Sequence, residues 1–177
     1  MYFNMNFLQE KFLSALKNFY IKDCKLIEYK VAERALTHKL AEYLQDEFPD
    51  YDVDCEYNKV GEGDPKRISF LFFQMQRKGR NKCCCDCDRC RKNKCVIFPD
   101  IIVHKRGQVD NLIVVEAKTA WSSRSQKRDF EKLESLVRSE EYGYALGIGV
   151  VFGDTFEKAQ DSIRIFSQDD MLNERNI

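Results

Sequence analysis

Asp100, Glu116 and Lys118 are the residues of this chain whose types and spacing suit chemistry. Asp100 follows Pro99 and opens the apolar run Ile-Ile-Val-His, residues 101–104. Glu116-Ala117-Lys118 follows a second run, Asn-Leu-Ile-Val-Val, residues 111–115. Two β-rich runs flanking Arg106-Gly107 read as a hairpin, with Pro99 tolerated at a strand entry or on an edge. Alternation puts Asp100, Ile102 and His104 on one face of the first strand, and Leu112, Val114, Glu116 and Lys118 on one face of the second. With a turn centred on Gln108, His104 opposes Leu112, Ile102 opposes Val114 and Asp100 opposes Glu116. Directly opposed residues have Cβ atoms about 4.5–5.5 Å apart. Two carboxylates that close repel, and apolar neighbours sharpen the repulsion. A divalent cation removes the conflict, and oxygen donors with open water positions suit Mg²⁺ or Mn²⁺. Lys118, on the face of Glu116, is placed to orient or polarise a water held there.

Pro99-Asp100 followed by Glu116-Ala117-Lys118 resembles the PD-(D/E)xK nuclease superfamily, which has the restriction-endonuclease-like fold. The resemblance implies an α/β fold with an αβββαβ core and a mixed central sheet. It implies metal-dependent hydrolysis of phosphodiester bonds, with DNA as the substrate. It also implies an acidic residue on the first core helix pointing at the metal, a role that falls here on Glu33. In that reading Asp100 and Glu116 hold Mg²⁺ or Mn²⁺, with the Ala117 carbonyl and Glu33 completing or supporting the shell. Lys118 orients the attacking water and stabilises the growing charge.

The elements that must position these residues can be read from periodicity. Phe7, Leu8, Phe12, Leu13, Leu16, Phe19 and Tyr20 recur at helical spacing, predicting a short amphipathic helix that caps the core; a homodimer contact is the alternative. A longer helix is predicted from about Leu26 to Phe48, with the stripe Tyr29, Ala32, Leu36, Leu40, Tyr43 and Leu44. Glu33 falls on this stripe, where a carboxylate is costly unless it is paired, binds metal or reaches water. Glu28, Glu42 and His38 lie off it. Residues 50–58 alternate as a half-buried strand, with Tyr51, Val53, Cys55 and Tyr57 on one side. Gly61, Gly63 and Pro65 mark a loop. Ile68 to Met75 is an apolar run that fits either a strand or a buried helix. After the hairpin, a helix from about Ser125 to Arg138 turns Phe130, Leu133, Leu136 and Val137 inward. A strand follows from Tyr144 to Phe152, whose Gly147 and Gly149 leave room for another backbone. Ser162 to Phe166 fits an edge strand. The order helix, strand, strand, strand, helix, strand spans roughly 26–152 of a single 177-residue domain. His104 reads as a polar strand end or a water-positioning group, and Trp121 as a core or hinge residue rather than a base-stacking one.

Residues 77–95 interrupt this pattern with a cysteine-rich basic insertion. Cys84, Cys87 and Cys90 repeat at C-x-x-C spacing, beside Cys85 and Cys95. Four thiolates in a tetrahedral array favour structural Zn²⁺. The preferred set is Cys84 or Cys85 with Cys87, Cys90 and Cys95, four of these five, and an iron–sulfur cluster is the alternative. The same segment carries Arg77, Lys78, Arg80, Lys82, Arg89, Arg91, Lys92 and Lys94. Arg124, Lys127 and Arg128 add charge where a helix opens, a place that favours phosphate. Together these are the expected nucleic-acid contacts.

Charged residues make up 33% of the chain, yet 29 Lys and Arg balance 29 Asp and Glu. Any basic surface must therefore be local. No run of 18 apolar residues predicts a membrane span, and residues 1–18 lack the features of a secretory signal. Cysteines without a leader favour metal over disulfides, and the expected compartment is the cytoplasm. Neither a P-loop nor a G-x-S-x-G elbow is present. Two functions fit: a Mg²⁺-dependent nuclease, or a binding module of the same fold that holds nucleic acid or a protein partner through its zinc-bound finger. The second would not need Lys118.

Overall fold

Apolar residues at 8, 12, 15, 16, 19 and 20 wind onto one stripe, and that stripe is buried along α1, Met5–Glu28. The structure, a computed structural model, describes residues 4–60, 63–69, 94–108, 111–123 and 126–167. Asn4 caps α1 by accepting a hydrogen bond from the Asn6 amide at 3.0 Å. Tyr20 closes the other end of the stripe by donating to the Gly153 carbonyl at 2.7 Å. The helix caps the core, as its periodicity predicts.

The boundary with the next helix is not where the apolar stripe places it. Leu26 to Glu28 belong to α1, and α2 runs Glu33–Glu47. Between them Lys30 adopts a left-handed φ of 48°. Its amide donates to Ile27 O and the Val31 amide to Leu26 O, the paired bonds that end a helix in a Schellman motif. That position usually carries glycine, so a lysine there hides the break from a sequence reader. Tyr29 is consequently not on an inward stripe; it is 71% exposed. Glu33 becomes the first residue of α2, where a negative charge meets the positive end of the helix dipole.

A five-stranded sheet forms the centre, in the order β1 (Asp52–Cys55), β6 (Ile101–His104), β7 (Asn111–Thr119), β8 (Leu146–Phe152), β9 (Arg164–Phe166). Four shorter strands lie between β1 and β6 in the chain. β2 (Lys59–Val60) pairs with β3 (Asp64–Pro65), and β4 (Arg67–Ser69) with β5 (Lys94–Val96). Of the apolar run at 68–75, which fits a strand or a buried helix, Ile68 and Ser69 belong to β4 and the rest lies outside the described residues. β1, β6 and β7 are antiparallel neighbours. From β7 the chain crosses through α3 (Lys127–Arg138) to β8, which is parallel to β7. A short helix, α4 (Phe156–Asp161), then leads to the antiparallel edge strand β9. The fold is therefore mixed α/β, with a central sheet that carries both antiparallel and parallel pairings.

Helices cover both faces of the sheet. Ile101, Val103, Ile113, Val115 and Ala117 pack toward α1 and α2. Ile102 and Val114 pack toward Leu133, Leu136 and Val137 of α3 and toward Tyr142 and Tyr144. β7 is the central strand, and of its nine residues all but Lys118 are buried. Gly147 and Gly149 of β8 do meet a close neighbour, but it is the side chains of α3 rather than a backbone. A Cβ at Gly149 would lie 2.6 Å from the Phe130 ring, and one at Gly147 would lie 2.9 Å from Val137. The hairpin turns through Gly107 at a φ of 74°. Lys66, between β3 and β4, is buried with its ammonium over the rings of Tyr57 and Tyr144, and burial lowers its pKa to about 8. No helix among the described residues is long and apolar enough to cross a membrane.

Candidate functional site

The antiparallel pairing of β6 with β7 sets the site. Ile101 pairs with Val115 and Ile102 with Val114. Continuing that register brings Asp100, just before β6, beside Glu116. A bulge between Val103 and His104 breaks the register at the far end, so His104 pairs with Asn111, not with Leu112. The bulge begins one residue past Ile102, and the acid end of the hairpin keeps the expected alignment.

Asp100 accepts the Ala117 amide on Oδ2 at 2.8 Å. Burial raises its pKa, while Lys132, this amide and Lys118 oppose the rise. Glu116 is more extreme, with its side chain 2% exposed. Burial pushes its carboxyl up to about 8, against the pull of Lys132 and with the help of the Asp100 charge. Among the described residues Glu116 Oε1 is buried without a hydrogen-bond partner. Across the parallel pairing Glu116 stands opposite Gly149, which brings no side chain against it.

Two crossing ion pairs join β7 to α3. Lys132 Nζ lies 2.5 Å from Glu116 Oε2 and 3.0 Å from the Phe98 carbonyl. Two residues along the strand, Lys118 Nζ lies 3.4 Å from Asp129 Oδ2. Residues two apart on a strand share a face, and residues three apart on a helix share one too. An acid and a base on each element can therefore meet in opposite order. Asp129 and Lys132 escaped the sequence reading because they border the inward stripe of α3 rather than lie on it. Their signal was that border position, three residues apart on either side of Phe130.

Glu33 reaches the same place from the other side of the sheet. Its Oε1 lies 3.1 Å from Lys118 Nζ, and its Oε2 accepts the Thr119 amide at 3.3 Å. Its charge also acts on Asp100. Burial works against the charge of Lys118, but Asp129 and Glu33 outweigh it and hold its pKa above the ordinary value. Lys118 Nζ also donates to the Ala117 carbonyl at 3.4 Å. The four predicted residues Glu33, Asp100, Glu116 and Lys118 are thus brought together, with Lys132 and Asp129 added.

As a cation site the arrangement rests on two acids, not three. Among the described residues no group of three His, Cys, Asp or Glu side chains could hold a metal ion. Glu33 is engaged by Lys118 and Thr119. Asp100, Glu116 and the Ala117 carbonyl are the other oxygen donors, each with a partner of its own, and among the described residues Glu116 Oε1 alone of their carboxylate oxygens is buried with no hydrogen-bond partner. Such a set fits a hard divalent cation that keeps several water positions.

The remaining candidates separate from this cluster. His104 bonds to Asp54 at 2.9 Å and stacks against Tyr57, so it is a partnered strand end. Trp121 is partly buried and packs against the larger of the two core clusters. His38 is exposed and pairs with Glu42. Lys127 and Arg128 are exposed in the first turn of α3. Cys84, Cys85, Cys87, Cys90, Arg77, Lys78, Arg80, Lys82, Arg89, Arg91, Lys92 and Arg124 lie outside the described residues. Lys94 and Cys95 are described only through the backbone of β5. No protein-family model, curated protein or solved structure matches the chain significantly.

Proposed function

We propose that this chain is a divalent-cation-dependent nuclease of the PD-(D/E)xK, restriction-endonuclease-like kind, acting on phosphodiester bonds in DNA. The observation that carries the reading is the neighbouring pair Asp100 and Glu116, one with a buried, unpartnered oxygen, and Lys118 two residues on along the same strand. Asp100, Glu116 and the Ala117 carbonyl would hold Mg²⁺ or Mn²⁺, with Glu33 supporting the shell. When bound, the cation supplies charge stabilisation at the phosphate and a more acidic water.

The rest of the work falls to the chain's own groups. Lys118 presents an ammonium beside the carboxylates, positioned to orient a water and to offset charge that builds on the phosphate. Glu33 and Asp129 fix that ammonium from two helices, so its direction does not depend on substrate. Burial of Glu116 keeps the site poor in water, which strengthens each of these interactions. Lys127 and Arg128 at the opening of α3, together with the basic segment 77–94, would hold the nucleic-acid backbone. The cysteines of that segment would carry structural zinc. A homodimer or a larger complex is compatible with this activity.

One observation favours a second reading. Every acid of the cluster already has a basic or amide partner within the chain, Lys132 for Glu116 above all. A fold that neutralises its acids internally could serve as a catalytically silent binding module. Incubation of the protein with single- and double-stranded DNA and RNA, in Mg²⁺, Mn²⁺ or chelator, separates the two. Cleavage that needs the cation supports the enzyme. Binding without turnover in every cation supports the module.

A further inference from the structure

Lys132 does for Glu116 what a divalent cation would do. Its ammonium lies 2.5 Å from Glu116 Oε2 and 3.0 Å from the Phe98 carbonyl, and its charge also acts on Asp100. It satisfies the acid pair only in part, since among the described residues Glu116 Oε1 stays buried without a hydrogen-bond partner. The two partners differ in freedom. Glu116 is fixed in the central strand with its side chain 2% exposed, while that of Lys132 is 17% exposed. A lysine head on a flexible four-carbon stem has a route to water that the carboxylate lacks.

We propose that Lys132 is a tethered competitor for the catalytic cation: it supplies the counter-charge to Glu116 when no divalent ion is bound, and leaves Glu116 when one binds. This rests on the reading of Asp100 and Glu116 as cation ligands. The exchange is purely electrostatic, one ammonium leaving the carboxylates as the divalent ion arrives. It follows that the ammonium lowers the apparent cation affinity by the fraction of molecules it occupies. The same contact protects the fold, because two buried carboxylates without a counter-charge would repel. Lys132 is in these terms a positioning residue, setting how much cation the site requires.

The test uses the full chain without nucleic acid and Mn²⁺ as the probe. Calorimetric titration should show Lys132→Met binding Mn²⁺ roughly tenfold more tightly than wild type. Mn²⁺ should also raise the melting temperature of the variant by more than it raises that of wild type. A wild-type readout guards against a variant that does not fold. Acylation of lysines, read by mass spectrometry, should label Lys132 several-fold faster in saturating Mn²⁺, with exposed Lys25 unchanged. Unchanged labelling of Lys132 overturns the proposal whatever the variant does. Weaker Mn²⁺ binding by Lys132→Met overturns it too, since the lysine would then be supporting the site. If Mn²⁺ binds neither protein, the cation reading of Asp100 and Glu116 falls and this proposal with it. If Mn²⁺ binds wild type while Lys132 stays protected, this proposal alone falls.

Discussion

Glu33 Oε1 lies 3.1 Å from Lys118 Nζ, joining the first residue of α2 to the last but one residue of β7. The contact spans 85 positions of the chain. A charge placed at a helix start and aimed at a partly buried ammonium fixes where that ammonium points. Glu33→Gln keeps the shape and removes the charge. It should lower cleavage about tenfold and cost about 0.3–1 kcal/mol of stability, the usual worth of an acid at a helix N-terminus. Single-turnover cleavage rates and urea melts of the two proteins check both parts. A variant with wild-type rate would leave Glu33 as a helix-start charge only.

Lys118→Met should cost more. It removes the ammonium beside the acid pair, and loss of one such group typically costs roughly a hundredfold or more in rate. Nucleic-acid affinity should change little, because Lys118 sits inside the site rather than on the basic surface. Cleavage and binding measured in parallel check this. An equal loss in both would make Lys118 a substrate-binding residue.

Glu116 gives a pH dependence whose sign can be worked out. Its carboxyl is raised by burial from 4.5 to about 8 in the folded chain. Between those values a share of folded chains keeps a proton on Glu116 that the unfolded state has released, and the rest hold it as the carboxylate paired with Lys132. Stability from this group is therefore full below about pH 4.5 and declines as pH rises toward about 8. His104 works the other way in part of the window. Burial lowers its pKa, so its contribution grows as pH rises through that range. The comparison must therefore be with Glu116→Gln, which cannot titrate. The variant should gain stability relative to wild type as pH rises from about 5 to 8. Denaturant melts across that range check it. A constant difference between the two proteins would mean that Glu116 is ionised throughout.

Much of this arrangement was legible from residue types alone, and the losses have local causes. Asp100 and Glu116 could be paired because alternation on two apolar strands leaves little freedom in register near the acid end. His104 was misplaced because a bulge adds a residue where both registers keep apolar faces inward, and no glycine or proline marks it. The α1–α2 break was misplaced because Lys30 takes a conformation usually held by glycine. Glu33 was singled out, on a stripe that the structure breaks just ahead of it. Asp129 and Lys132 were missed because amphipathic periodicity finds the inward stripe of α3 and is silent about the charged residues on its border. The cation set is smaller than expected for the same kind of reason. Periodicity put Glu33 on the helix stripe and the resemblance gave it a place at the metal, but neither showed that Lys118 and Thr119 would take both its oxygens.

Gly149 offers a test of the packing that holds α3 over the site. It pairs with Glu116, and a Cβ there would lie 2.6 Å from the Phe130 ring. Gly149→Ala should push Phe130 and with it the start of α3, at a cost of about 1–3 kcal/mol, typical of an overpacked core. Asp129 neighbours Phe130, so Lys118 should lose part of its support and cleavage should fall along with stability. Thermal melts and rates taken well below the melting temperature separate the two. Unchanged stability would show that the ring yields without moving the helix.

The cysteine segment makes an independent prediction from sequence. Purified protein should carry close to one equivalent of zinc, bound by four of the five cysteines 84, 85, 87, 90 and 95. Cys87→Ser combined with Cys90→Ser should release it and weaken nucleic-acid binding, with a shallower dependence on salt. Elemental analysis and binding titrations at several salt concentrations check this. Iron in place of zinc would favour a cluster, and unchanged salt dependence would move the binding surface to Lys127 and Arg128.

The most direct test of the central claim is cleavage of DNA by wild type, Asp100→Asn and Glu116→Gln in Mg²⁺, Mn²⁺ and chelator, with folding of each protein confirmed by circular dichroism. Wild type should cleave in either cation and stop in chelator, while both variants, though folded, should lose at least roughly a hundredfold in rate. Cleavage by a folded variant at the wild-type rate, or wild-type cleavage that persists in chelator, would contradict the assignment of Asp100 and Glu116 as the cation-binding heart of a nuclease.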